Sequence, residues 1–114
     1  MFDFKLLKEL CLLDGTSGRE DAVRAFIKKE IRDLADEIRT DALGSLIAFK
    51  KGKARPKSRV LFDAHMDEVG FIVTGATDEG FLRFSAVGGI NPRVILGRSV
   101  TVGEKRLTGV IGTK

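Results

Sequence analysis

The feature that most restricts what this chain can fold into is a change of hydrophobic period near Asp36. Before it, apolar residues recur every three or four positions. After it, they gather in short β-branched and aromatic runs divided by glycine and charge. A period near 3.6 places one apolar stripe on a helix, whereas short runs bounded by turn residues belong to strands. The order predicts helices first and strands afterwards, with the second helix packed against a sheet.

In the first part Leu6, Leu7, Leu10, Cys11 and Leu13 make one stripe and predict a helix over 4–13, with Cys11 as a small core hydrophobe. DGTSG interrupts it. Ser17 followed three positions later by Glu20 has the pattern of a capping box, in which both side chains satisfy free N–H groups of a new helix. That helix would turn Val23, Phe26, Ile27, Ile31 and Leu34 toward a sheet. Strands are predicted near 37–40, 46–50, 60–64, 70–74, 81–85, 99–102 and 108–111. Val60-Leu61-Phe62 is continuously apolar, as expected for a strand buried on both faces. From about residue 71 the strands are short, rich in glycine and free of intervening helices, which predicts a first unit over 1–70 and an all-β unit over 71–114.

A chain of 114 residues with 43% hydrophobic content has room for one small domain or a piece of a larger one, and for a modest core to which its eight phenylalanines would contribute. One cysteine cannot form an internal disulfide. MFDFKLLKEL lacks a secretory leader pattern, and no apolar run is long enough to span a membrane, so a cytoplasmic protein with no membrane partner is expected. The formal charge of +4 is local. Lys50, Lys51, Lys53, Arg55, Lys57 and Arg59 outnumber that total by themselves, so the remainder is net acidic. KKGKARPKSR has no aromatic residue to stack on bases and reads as a solvated hairpin loop, not a nucleic-acid site. The chain stops at VIGTK directly after an apolar run, and it is expected to continue.

The chemistry concentrates in VLFDAHMDEVGF, which carries the only histidine, His65. In extended backbone, residues i and i+2 share a side, so the imidazole of His65 and the carboxylate of Asp67 would project together. A metal-binding histidine commonly donates its second ring N–H to such a carboxylate; a structural histidine satisfied by an acid would show the same spacing. A catalytic zinc site needs about three protein ligands, and Asp14, Asp63, Asp78, Glu79 and Glu104 are too scattered to supply them convincingly. Ser17 lies in a capping pattern rather than a nucleophile elbow. Gly88-Gly89 lacks the further glycines or lysine of a phosphate loop and reads as a turn before Asn91-Pro92.

Taken together, LLDGTSGRED, TDALGSLIAFKKGK, RVLFDAHMDEVGFIV, GFLRF, VGGINPRVILGRSV and GVIGTK resemble, in order and spacing, the glutamyl or deblocking aminopeptidase family of dinuclear metallopeptidases, which includes the tetrahedral aminopeptidases. Ser45 departs from the asparagine that members often carry after D-x-L-G. The resemblance implies a zinc-peptidase-type α/β catalytic domain interrupted by a small β-barrel-like dimerisation domain. It implies two divalent metal ions, zinc or cobalt, with His65 a metal ligand and Asp67 a catalytic residue that orients it. The other ligands would lie beyond residue 114. It further implies peptide substrates and a homo-oligomer, dimeric or dodecameric. On this reading the chain is the N-terminal portion of an aminopeptidase and is inactive alone. A non-enzymatic oligomerisation or binding module and a glucanase-type hydrolase are the competing readings.

Overall fold

The computed structural model describes residues 3–54 and 57–113. Helix α1 runs Phe4–Cys11, and its N-terminus is closed by Asp3, whose Oδ1 accepts from the N–H groups of Lys5 at 2.9 Å and Leu6 at 3.2 Å. Such a cap satisfies donors that the first turn leaves unpaired. Helix α2 runs Asp21–Ile31. The predicted capping box does not form. Glu20 is the N-cap but makes no side-chain cap bond, and its Oε1 accepts instead from Gly18 N at 2.5 Å. Ser17 is engaged elsewhere, with a residue 50 positions away.

The strands form three separate antiparallel pairs: β1 (Glu37–Thr40) with β2 (Leu46–Phe49), β3 (Gly70–Ala76) with β4 (Leu82–Val87), and β5 (Ser99–Val102) with β6 (Leu107–Val110). The turn between β1 and β2 is built by Asp41, whose Oδ1 accepts from Leu43 N at 3.0 Å and Ser45 N at 2.8 Å. Gly44, at φ +90°, completes it in a conformation that costs glycine little. Helix α2 reaches this turn through Arg24, whose Nε donates to the Gly44 carbonyl at 2.7 Å. In β3–β4, Phe71 meets Phe84 edge to face with centroids 4.9 Å apart, and the register slips between Val73 and Gly75. Gly88-Gly89 leads, as a turn, to Asn91, which caps the short 3-10 helix Pro92–Val94.

Six of the seven predicted strands are present within a residue or two of their expected positions. The strand at 60–64 is absent among the described residues, and Val60, Leu61 and Phe62 are 75%, 88% and 93% exposed instead of buried. A strand needs a neighbour to take up its N–H and C=O groups, and no described segment pairs with this run. The expected core is also small. Val23 and Ile111 are the buried hydrophobic side chains among the described residues; Cys11, Phe4, Phe49, Phe62 and Phe81 are exposed. Leu34 lies past the end of α2 and is exposed as well. Arg55 and Pro56, at the middle of the basic loop, lie outside the described residues.

The accessible surface is 10421 Å² for a 12.5 kDa chain, where a compact monomer of that mass exposes roughly 6200 Å². The radius of gyration, 18.8 Å, likewise exceeds the roughly 13 Å of a compact domain this long. Three hairpins and two helices are therefore held by local bonds and a few crossings, with most of their apolar faces open. No helix of the described residues is long and apolar enough to cross a membrane.

Candidate metal centre

One crossing dominates the region around the histidine. The DGTSG segment after α1 runs beside residues 67–70 and is stitched to them through Glu68. Glu68 N donates to the Gly15 carbonyl at 2.8 Å, and Ser17 N donates to the Glu68 carbonyl at 3.3 Å. The Glu68 side chain adds a third link, its Oε1 accepting from Gly15 N at 3.1 Å. Thr16 and Glu68 form an isolated parallel bridge. Close approach fixes glycine at Gly70, where a Cβ would lie 2.5 Å from Thr16 Oγ1 and 2.8 Å from its Cγ2.

This arrangement places Ser17 across from Asp67. Ser17 Oγ donates to Asp67 Oδ2. The other carboxylate oxygen, Oδ1, lies 3.1 Å from His65 Nδ1, and the Asp67 carbonyl oxygen lies 2.9 Å from the same nitrogen. A carbonyl oxygen can only accept, so Nδ1 carries a proton and donates; in the neutral ring the lone pair is then on Nε2. Among the described residues nothing bonds Nε2, and the side chain is 85% exposed. The Ser17 hydroxyl is the main reason the Asp67 carboxyl sits below its ordinary pKa, with the His65 bond reinforcing it against a partial loss of solvent. Asp67 is thus held as an anion with both oxygens committed.

The donor set fits a divalent metal in one respect: a neutral imidazole with its tautomer fixed by a carboxylate, presenting Nε2 outward, is the form in which histidine binds zinc or cobalt. It does not amount to a complete site. Among the described residues no three histidine, cysteine or acidic side chains converge. The structure brings Asp67 to His65 as the i, i+2 spacing predicts, although the two sit in an irregular segment and not at the end of a paired strand. Sequence reasoning assigned Ser17 to a helix cap and missed its contact with Asp67. A serine beside glycine, two residues after Asp-Gly, gives no local sign of a partner so far along the chain. Ser45 lines the same shallow depression as Met66, Asp67 and Glu20.

With this geometry in view, comparison with known proteins gives the class. The M42 glutamyl aminopeptidase family model matches residues 44–114, and the chain belongs to that family. The particular relatives are peptidases for the most part. The lysyl aminopeptidase of Pyrococcus furiosus is 36% identical over 101 residues, covering 88% of this chain and 28% of the relative. The Pyrococcus horikoshii TET1 peptidase, which can assemble into a tetrahedron or a large octahedral shell, superposes with a TM-score of 0.81 at 46% identity, over 96% of this chain and 33% of that one. An endoglucanase from Thermotoga maritima superposes with a TM-score of 0.85 at 47% identity, over 95% of this chain and 34% of its own. The two helices and antiparallel pairs are shared with these structures, and the chain spans only 28% to 31% of the length of the curated relatives it matches.

Proposed function

We propose that this chain is the N-terminal portion of a metal-dependent aminopeptidase that continues beyond Lys114. The observation that carries the reading is the His65–Asp67 pair, with Nδ1 donating to Asp67 and Nε2 unbonded among the described residues. Family membership and the excess of exposed apolar surface support it. Residues 1–70 would belong to the catalytic domain, and residues 71–114 would begin an inserted β-rich unit used in assembly. Two divalent ions, zinc or cobalt, are the expected cofactors, and a homo-oligomer is the expected state, as in the TET1 peptidase shells. A cytoplasmic location follows from the same reading.

His65 would hold metal through Nε2, and Asp67 would fix the ring. The metals, when bound, supply a Lewis acid for the scissile carbonyl and lower the pKa of the attacking water. This chain contributes one wall: an oriented imidazole, a carboxylate kept ionised, and a segment tied down by the Glu68 bonds. The remaining ligands and the general base would come from later residues.

The test uses the complete polypeptide. It is expected to release N-terminal residues from chromogenic amino-acid amides and short peptides, to lose that activity on chelation, and to regain it with zinc or cobalt. His65→Ala is expected to lower metal stoichiometry and abolish turnover. The resemblance to an endoglucanase favours one alternative substrate, so glucans belong in the same assay. Glycoside hydrolysis ordinarily needs a carboxyl pair about a sugar site. Glucan cleavage without peptide cleavage, or peptide cleavage indifferent to chelation, would overturn the proposal.

A further inference from the structure

We propose that Ser17 is a positioning residue for the His65 ligand: its hydroxyl orients the Asp67 carboxylate, and the carboxylate orients the imidazole. The inference rests on the reading of His65 as a metal ligand and extends it to a residue outside VLFDAHMDEVGF. The chain of contacts is Ser17 Oγ to Asp67 Oδ2, then Asp67 Oδ1 to His65 Nδ1.

Three features argue that this is a built contact and not a chance meeting of exposed groups. Each carboxylate oxygen has its own donor, one from each side, so the carboxyl plane is set by two bonds rather than one. The serine is delivered by backbone, since Ser17 N donates to the Glu68 carbonyl and Glu68 N to the Gly15 carbonyl. The two segments can approach this closely because Gly70 leaves room for Thr16. The alternative use of Ser17, as a helix cap, is excluded by geometry: Glu20 occupies the N-cap of α2. A freely rotating carboxylate could still accept from Nδ1, but it would not hold the ring in one orientation. Loss of such an outer partner typically lowers metal affinity about 10- to 100-fold.

The experiment compares Ser17→Ala, Ser17→Thr, Ser17→Cys and His65→Ala in the complete polypeptide. Cobalt affinity is read by competition with a chromophoric chelator, kcat and KM on a peptide substrate, and Tm of the metal-free protein. Ser17→Ala is expected to weaken cobalt binding about tenfold and to lower kcat while leaving KM close to wild type. Ser17→Thr keeps the hydroxyl and is expected to restore both. If alanine perturbs folding, seen as a large drop in apo Tm, cysteine carries the test: it is nearly the same size with a weak donor, and is expected to lose affinity without losing Tm. In an Asp67→Asn background, Ser17→Ala is expected to add nothing, because the relay is already broken. Wild-type cobalt affinity in Ser17→Ala or Ser17→Cys, with affinity lost in His65→Ala, would overturn the role of Ser17 and leave the metal site standing. Wild-type affinity in His65→Ala would instead overturn the reading on which it rests.

Discussion

Residues 60–64 and 66–70 belong to one continuous motif, yet they are held in opposite ways. The first run is the more apolar, and among the described residues nothing covers it: Phe62 is 93% exposed. The second carries two acids and a glycine, and it is fixed by three hydrogen bonds at Glu68 and one at Asp67. Hydrophobic character makes a run suitable for burial, but order comes from a partner that takes up its backbone groups. The partner of 66–70 is the DGTSG segment. If the proposed continuation past Lys114 is right, the partner of 60–64 lies there.

The largest test of that contrast is Phe62→Ala. It is expected to cost about 3–5 kcal/mol in the complete polypeptide, as truncation of a core phenylalanine does. In the 114-residue chain it is expected to change stability by less than about 0.5 kcal/mol, as exposed substitutions usually do. Denaturant midpoints of the two lengths give the comparison, and equal effects would mean that nothing further covers the run. A second test loosens the held segment. Gly70→Ala drives a methyl into Thr16 and is expected to cost about 1–3 kcal/mol, with faster hydrogen exchange at the Glu68 amide. Little change in either would mean that the crossing is softer than its bonds imply.

The smallest expected effect is in pH. Asp67, Asp41 and Asp36 are each held below the ordinary carboxylate value by hydrogen bonds to the ionised form, from Ser17, from Ser45 and from Lys51 respectively. A carboxyl whose folded pKa is lower than its unfolded one contributes stability above the unfolded value. That contribution disappears as pH falls through the folded value. All three groups are solvent-accessible, so the effect is modest, and melting temperature is expected to fall gently as pH drops through and below the ordinary carboxylate range. Asp67→Asn should flatten part of that decline. An unchanged profile would mean that Ser17 does not favour the ionised carboxylate.

Local pattern was enough to locate most of the elements. The α2 stripe and the runs at β1, β2, β5 and β6 are visible because periodicity and turn residues act over a few positions. Asp3, the cap of α1, is of a residue type that favours N-caps, whereas the Ser17–Glu20 pattern carries the stronger sequence signal and does not form its box. That pattern failed because a distant carboxylate competes successfully for the Ser17 hydroxyl. The strand at 60–64 failed for a related reason: a buried-strand signal reports what a run could pack against, not whether the packing partner is at hand. At the site, the His65–Asp67 contact was legible because i, i+2 geometry is local. The Ser17 contact was not, because no rule of spacing reaches from position 17 to position 67.

That separation has a consequence for assembly. The serine–aspartate bond closes a loop of 50 residues, and closing a flexible segment of that length carries roughly 3 kcal/mol or more of chain entropy. Formation of α2 and the β1–β2 hairpin shortens the path between its ends and lowers that cost. On the proposed relay, a chain in which this crossing is not yet made would present His65 beside an Asp67 carboxylate that Ser17 does not hold. Under the proposed reading of His65 as a metal ligand, readiness to take up metal would report on whether Ser17 and Asp67 have met.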